Sequence, residues 1–111
     1  MQEKKIRFLQ DALDDLESLI EYIANDSISN AEKLYIKVRE KVKVLGRFPY
    51  RGMPVPDEKL KNAGWRVLFV PPFALFYRVF EDEVLIYRIF HRSSDYPRFF
   101  GMLDGDYKEG E

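Results

Sequence analysis

Apolar residues at Ala12, Leu13, Leu16, Leu19, Ile20 and Ile23 recur at the three- and four-residue spacing of one helical face, with acidic and polar residues between them. Asp11 is placed to cap this helix, and the acids of its first turn suit the positive end of the helix dipole. Asn25 to Ser29 has turn chemistry. The same periodicity returns at Ala31, Leu34, Tyr35, Val38, Val42 and Leu45, a second helix. Ser29 with Glu32 three residues on has the form of a capping box, and Gly46 is a stop signal. Two amphipathic helices joined by so short a turn predict an antiparallel hairpin whose apolar stripes need another surface.

That surface comes from the back half of the chain. Residues 65–70, 73–80 and 84–91 are rich in Val, Leu, Ile, Phe and Tyr, as strands prefer. Pro71-Pro72 cannot donate to a sheet ladder and separates the first two runs; Glu81-Asp82-Glu83 separates the second from the third. Lys4 to Leu9 adds a first, weakly alternating strand, and residues 48–64, with three prolines and two glycines, read as an ordered loop. The predicted order is β-α-α-β-β-β: an α+β domain with an antiparallel four-stranded sheet and a two-helix hairpin packed on one face. The other face of such a sheet is open to water or a partner. Residues 1–100 form one domain, and residues 101–111 read as a disordered acidic tail.

Composition narrows the function classes. At 111 residues, 46% hydrophobic and 33% charged, the chain has the balance of a soluble globular domain, and no run approaches the ~20 apolar residues of a membrane span. No secretory signal is visible, so the expected compartment is the cytoplasm. The absence of cysteine excludes disulfides and thiolate metal sites, and a single histidine argues against zinc; no metal and no cofactor is expected. The net charge of −1 conceals strong segregation. Residues 11–26 carry six acids and no base, whereas residues 33–51 carry seven cations against Glu40 alone. Local fields, more than the total, steer association.

Candidate chemistry collects in and after the strands: Arg66, Arg78, Arg88, then His91-Arg92-Ser93-Ser94-Asp95-Tyr96. Arg88 and Phe90 share one face of their strand, and Ile89 and His91 the other. Whether Arg78 joins Arg88 depends on the hairpin: a two-residue loop separates them and a three-residue loop brings them together. Plainer roles compete with chemistry. A lone histidine at a strand end is more often a structural hydrogen-bonding residue than a catalyst, and the arginines can simply pair with Glu81, Asp82, Glu83 or the acidic first helix. The basic run at 33–51 is more often a solvated helix face than a nucleic-acid site, and Trp65, Tyr77 and Tyr87 are more often core than stacking platforms.

The β-α-α-β-β-β order, the FP-x-x-G after the second helix, the W-R opening a strand, the FALFYRV strand and the YRIFHRSSDY ending together resemble the RelE/ParE superfamily of type II toxin–antitoxin toxins, over roughly Lys5 to Phe100. The resemblance implies a cytoplasmic toxin neutralised by a cognate antitoxin protein. Its target is open at this level. ParE-like members inhibit DNA gyrase without chemistry of their own, and the R-I-F-H-x-x-x-D ending, with Arg88, His91 and Asp95, is similar to many of them; His91 and Asp95 would then organise the strand exit. RelE-like members cut messenger RNA on the ribosome without a metal. On that alternative His91 is acid or base, Arg66 and Arg92 hold the phosphate, and Tyr96 stacks or donates a proton. A third alternative is a non-toxic protein-binding module of the same fold. Lys37, Lys41, Lys43, Arg78 and Arg88 are the candidate residues for binding the target or the antitoxin. With aromatics at 15% and one sheet face beyond the reach of two helices, an exposed apolar surface is expected for that antitoxin.

Overall fold

The computed structural model describes residues 3–91; Arg92, Asp95, Tyr96 and the acidic tail at 101–111 lie outside the described residues. Both expected helices form, as α1 (Gln10–Ala24) and α2 (Ile28–Val44). Their starts differ from the expected ones. The N-cap position of α1 falls to Leu9, which offers no side-chain cap, and Asp11 sits inside the first turn. The cause is the sheet: the Leu9 amide still donates to Ile86 O at 3.0 Å, so the chain passes from strand to helix without a linker. Helix α2 is capped by Ser27, whose Oγ accepts the Asn30 amide at 3.1 Å, and not by a Ser29–Glu32 box. The Ser27 amide is itself bonded to Ile23 O at 2.9 Å, so the second helix starts as soon as the first has ended.

The sheet has five strands, β1 (Lys5–Phe8), β2 (Met53–Pro54), β3 (Arg66–Val70), β4 (Phe73–Val79) and β5 (Glu83–His91), in the spatial order β1-β5-β4-β3-β2. The expected antiparallel four-stranded sheet is therefore corrected on two counts. The loop at 48–64 contributes β2, antiparallel to β3, and also the short helix α3 (Glu58–Asn62), capped by Asp57. More importantly, β1 runs parallel to β5, pairing Lys5 with Glu83 through Phe8 with Ile86, so the sheet is mixed. The strands β3, β4 and β5 are joined by tight hairpins and must be antiparallel, but β1 reaches its partner only through the rest of the chain, and no local turn sets its direction. The turn after β4 is closed from outside: Lys4 Nζ donates to Phe80 O at 3.0 Å and to Glu81 O at 2.6 Å.

Both faces of the sheet are covered. Ala12 and Leu16 of α1 and Val38, Val42 and Leu45 from α2 and its cap pack on Leu68, Val70, Phe73, Leu75, Tyr77, Val84, Ile86 and Ile89. On the opposite face Val55, Leu60 and Trp65, from the segment that encloses α3, pack on Val67, Ala74, Phe76, Leu85 and Tyr87. Trp65 is fully buried, with its ring centroid 4.4 Å from that of Tyr87. The alternation of strand faces is interrupted once. Phe76 pairs with Arg88 but Tyr77 with Ile86, leaving Tyr87 as the extra residue of a bulge in β5.

Strand β5 outlasts β1 by five residues, Tyr87 to His91. Asp15 of α1 reaches this stretch. Its carboxylate accepts the Ile89 amide at 2.9 Å and takes the Arg88 guanidinium in a two-pronged contact at 2.7 and 3.0 Å. The pair thus fastens the first helix to the sheet edge. Asp15→Ala removes the two-pronged contact from a part-buried guanidinium and the acceptor of a strand amide, and is expected to cost about 2–4 kcal/mol. Urea unfolding measures this directly, and a loss under about 0.5 kcal/mol, the size of an ordinary surface change, would show that the clasp is incidental.

Candidate functional site

Arg66 opens β3 at the edge beside β2, opposite Tyr77 of β4 on the helix-covered face. Its guanidinium turns toward the segment after α2, donating from Nη2 to Gly52 O at 2.6 Å and to Tyr50 O at 3.1 Å, and lies over the Tyr50 ring at 5.2 Å. The buried Tyr77 hydroxyl completes the arrangement by donating to Pro49 O at 2.8 Å and accepting the Gly52 amide at 2.9 Å. Burial raises the Tyr77 phenol above its ordinary value, while the Gly52 amide and the Arg66 guanidinium pull partly the other way. Gly52 is required by contact: a Cβ there would meet Tyr77 Oη and Val67 O, each at 2.6 Å. Gly46 is similar, since a Cβ would lie 2.8 Å from Lys4 O, so its place after α2 reflects the passing amino-terminal backbone. Residues 49–52 are consequently a held loop.

What the loop presents is apolar and basic. Phe48, Tyr50 and Met53 are 55%, 63% and 58% exposed, and Arg47 to Arg51 line an open groove of about 730 Å³. Among the described residues the remaining exposed large apolar ones are Leu13, Tyr22, Ile28, Tyr35 and Ile36 on the helix hairpin, and Phe69 on β3. Leu13 and Tyr35 line a second groove between the two helices, together with Gln10, Asp14, Leu16, Glu17, Ile20, Glu21 and Arg39. Exposed apolar residues thus gather at this loop and on the helix hairpin, while the sheet face expected to lie open is covered by Val55, Leu60 and Trp65. Sequence reading missed the loop because Arg47 and Arg51 were absorbed into a solvated helix face, although the helix ends at Val44. The readable signal was a stretch from Lys41 to Pro56 that holds four cations and no acid.

The other sequence candidates fall into separate places. Arg78 covers the Trp65 and Phe80 rings at 5.3 and 5.4 Å, on the face away from the helices. Arg88 is held by Asp15 and lies over Phe90 at 5.1 Å. The β4–β5 turn is short, with the Phe80 amide bonded to Glu83 O at 2.8 Å, but the bulge at Tyr87 shifts the pairing, so loop length alone does not decide how Arg78 and Arg88 relate. His91 ends β5 opposite Phe73, their rings edge to face at 6.4 Å. One row across the sheet reads Arg66, Tyr77, Ile86 and another reads Val70, Phe73, His91. Arg66 and His91 are thus about 13 Å apart along the strands and about 10 Å across them. The structure does not bring these two together, and their proposed companions Arg92 and Tyr96 lie outside the described residues.

Lys37 and Lys41 are exposed one turn apart on α2, but Lys43, two residues on, is rotated by about 200° and lines a different groove with Ile6, Phe8 and Arg39. The three lysines do not form one patch. Among the described residues there is no group of three His, Cys, Asp or Glu placed to hold a metal ion, and no helix long and apolar enough to cross a membrane.

Comparison with known proteins agrees with this architecture. The family described as "ParE toxin of type II toxin-antitoxin system, parDE" matches residues 6–96. A chain of the chromosomal ParDE toxin–antitoxin system from Pseudomonas aeruginosa is 26% identical with a TM-score of 0.65, covering 80% of this chain and 96% of that one. A chain of the RelBE2 toxin–antitoxin complex from Mycobacterium tuberculosis is 28% identical with a TM-score of 0.56, covering 85% and 97%. No curated protein matches significantly.

The Tyr77 clamp makes two measurable differences. Tyr77→Phe leaves the Gly52 amide and the Pro49 carbonyl without their partner, and is expected to cost about 1–3 kcal/mol. It also removes a pH dependence. The folded phenol ionises above its ordinary value near 10, so its contribution is complete below that pH and is lost as pH rises from there through the folded value. Thermal melts in alkaline buffers should fall more steeply for wild type than for Tyr77→Phe, and parallel slopes would remove the buried phenol as their cause.

Proposed function

The chain belongs to the ParE toxin family of type II toxin–antitoxin systems, and from that membership we propose that it stops growth by binding DNA gyrase in the cytoplasm, with no bond-making of its own. It is the toxin component of such a system, and a cognate antitoxin protein is its partner. The observation that carries the gyrase reading is the engagement of Arg66. Metal-free cleavage of RNA needs cationic donors gathered on the phosphate beside an acid and a base. Here the Arg66 guanidinium is committed to Tyr50 O and Gly52 O, at the far end of the sheet from His91. Arg78 and Arg88, expected to bind a partner, are engaged with Trp65 and Asp15. That supports structural duties for all three strand arginines and for His91, and leaves recognition to exposed surfaces.

Two such surfaces suit two partners. The groove between the helices, with Leu13 and Tyr35 partly exposed above Leu16 and Ile20, is the place for an amphipathic antitoxin segment. Lys37 and Lys41, adjacent on α2, remain candidates for the target.

Pulse expression with separate measurement of supercoiling and protein synthesis divides the target readings. The expected result is loss of gyrase supercoiling with translation initially intact, in the wild type and in His91→Gln alike. Ribosome-dependent cleavage of messenger RNA by the purified wild type, abolished by His91→Gln, would replace this reading with the nuclease one. For the antitoxin, Leu13→Glu with Tyr35→Glu is expected to weaken capture about 30-fold or more while growth arrest persists. Unchanged capture in a binding titration would move the antitoxin off this groove.

A further inference from the structure

Seven arginines fall among the described residues, and five have side-chain partners. Arg7 pairs with Glu83, Arg39 lies over Phe8, Arg66 holds the loop carbonyls, Arg78 covers Trp65, and Arg88 is clasped by Asp15. Among the described residues no hydrogen-bond, ion-pair or ring partner engages the side chains of Arg47 or Arg51, and both are exposed. They flank Phe48 and Tyr50, two aromatic side chains more than half exposed, and Met53 follows. Arginine and tyrosine are the residue types that dominate binding energy at protein interfaces, and an unpaired arginine beside an aromatic ring gives a site both charge preference and apolar grip.

Conformation makes this more than composition. An exposed loop ordinarily has little holding it, yet here a buried tyrosine hydroxyl and a strand guanidinium make four hydrogen bonds to the backbone of Pro49, Tyr50 and Gly52. Gly52 lets the loop lie directly on Tyr77. Phe48 and Tyr50 face water on this held backbone. Holding them there before a partner arrives lowers the ordering cost of binding.

We propose that Arg47–Met53 is a pre-set docking surface for an acidic segment of the protein this toxin inhibits, one that carries an apolar side chain to seat against Phe48 and Tyr50. The charge argument sets the partner's sign: Arg47 and Arg51 line the groove at this loop, and Arg47 to Met53 contains no acid. Arg66 and Tyr77 act as positioning residues for this surface. The proposal rests on the reading that the toxin works by binding a protein, but not on that protein being gyrase.

The test uses the full-length chain in three assays: growth arrest on induction, binding of purified gyrase holoenzyme, and binding of the cognate antitoxin, with melting temperature as the folding control. Two double variants are made, Arg47→Glu with Arg51→Glu, and Phe48→Ala with Tyr50→Ala. Both should melt within a few degrees of wild type, bind antitoxin within about threefold, bind gyrase roughly 30-fold or more weakly, and no longer arrest growth. Tyr77→Phe should give a smaller loss in gyrase binding with the loop side chains intact, which a purely local surface role would not produce. If wild type binds no gyrase but the variants still lose growth arrest, the docking loop stands and the gyrase reading falls. Growth arrest by the charge-reversed protein at wild-type levels would overturn the proposal. So would loss of antitoxin binding with arrest intact, which gives the loop to the antitoxin.

Discussion

Strand β4 is buried on both sides from Phe73 to Tyr77, and a strand in that position obliges the protein to cover two faces with a chain that has only two long helices. The helices take one face. The second falls to the segment between β2 and β3, which folds a five-residue helix and lays Val55, Leu60 and Trp65 on the sheet. That solution governs the region after α2. Residues 55–65 are used as cover and residues 47–52 are drawn over the end of the sheet, where Arg66 and Tyr77 hold them. A loop that looks like a connection in the sequence is therefore half core and half display.

How far the sequence could be read follows from the range of each interaction. Strands β3 to β5 and both long helices are carried by local apolar periodicity, and their limits agree with the structure to within a few residues. The features that escaped depend on distant partners. The parallel direction of β1 comes from pairing with residues 83 to 86. The start of α1 after Leu9 depends on Ile86, and the bulge at Tyr87 is invisible to alternation because both of its neighbours are apolar or amphipathic. Strand β2, two residues ending in a proline, offers no period at all.

The polar residues of the strands tell the same story at the level of the site. Arg66, Arg78 and Arg88 occur at similar intervals in sequence and invite a common purpose, yet each meets a different partner: backbone carbonyls, an indole ring, a carboxylate. Spacing within a strand fixes the face and not the neighbour. The unoccupied arginines were those outside any regular element, where periodicity has nothing to say. The family, by contrast, was legible, because the order of elements and a few polar marks survive at an identity of 26–28% to solved relatives.

The pairing of Lys5 with Glu83, and of Asp15 with Arg88, joins residues more than seventy positions apart. Contacts of this range give a chain high contact order, and their loop-closure entropy must be met before they return any stability. During synthesis β1 has no neighbour to pair with, and α1 has no edge to clasp, until β5 has left the ribosome. The assembled toxin surface is then a late product of translation.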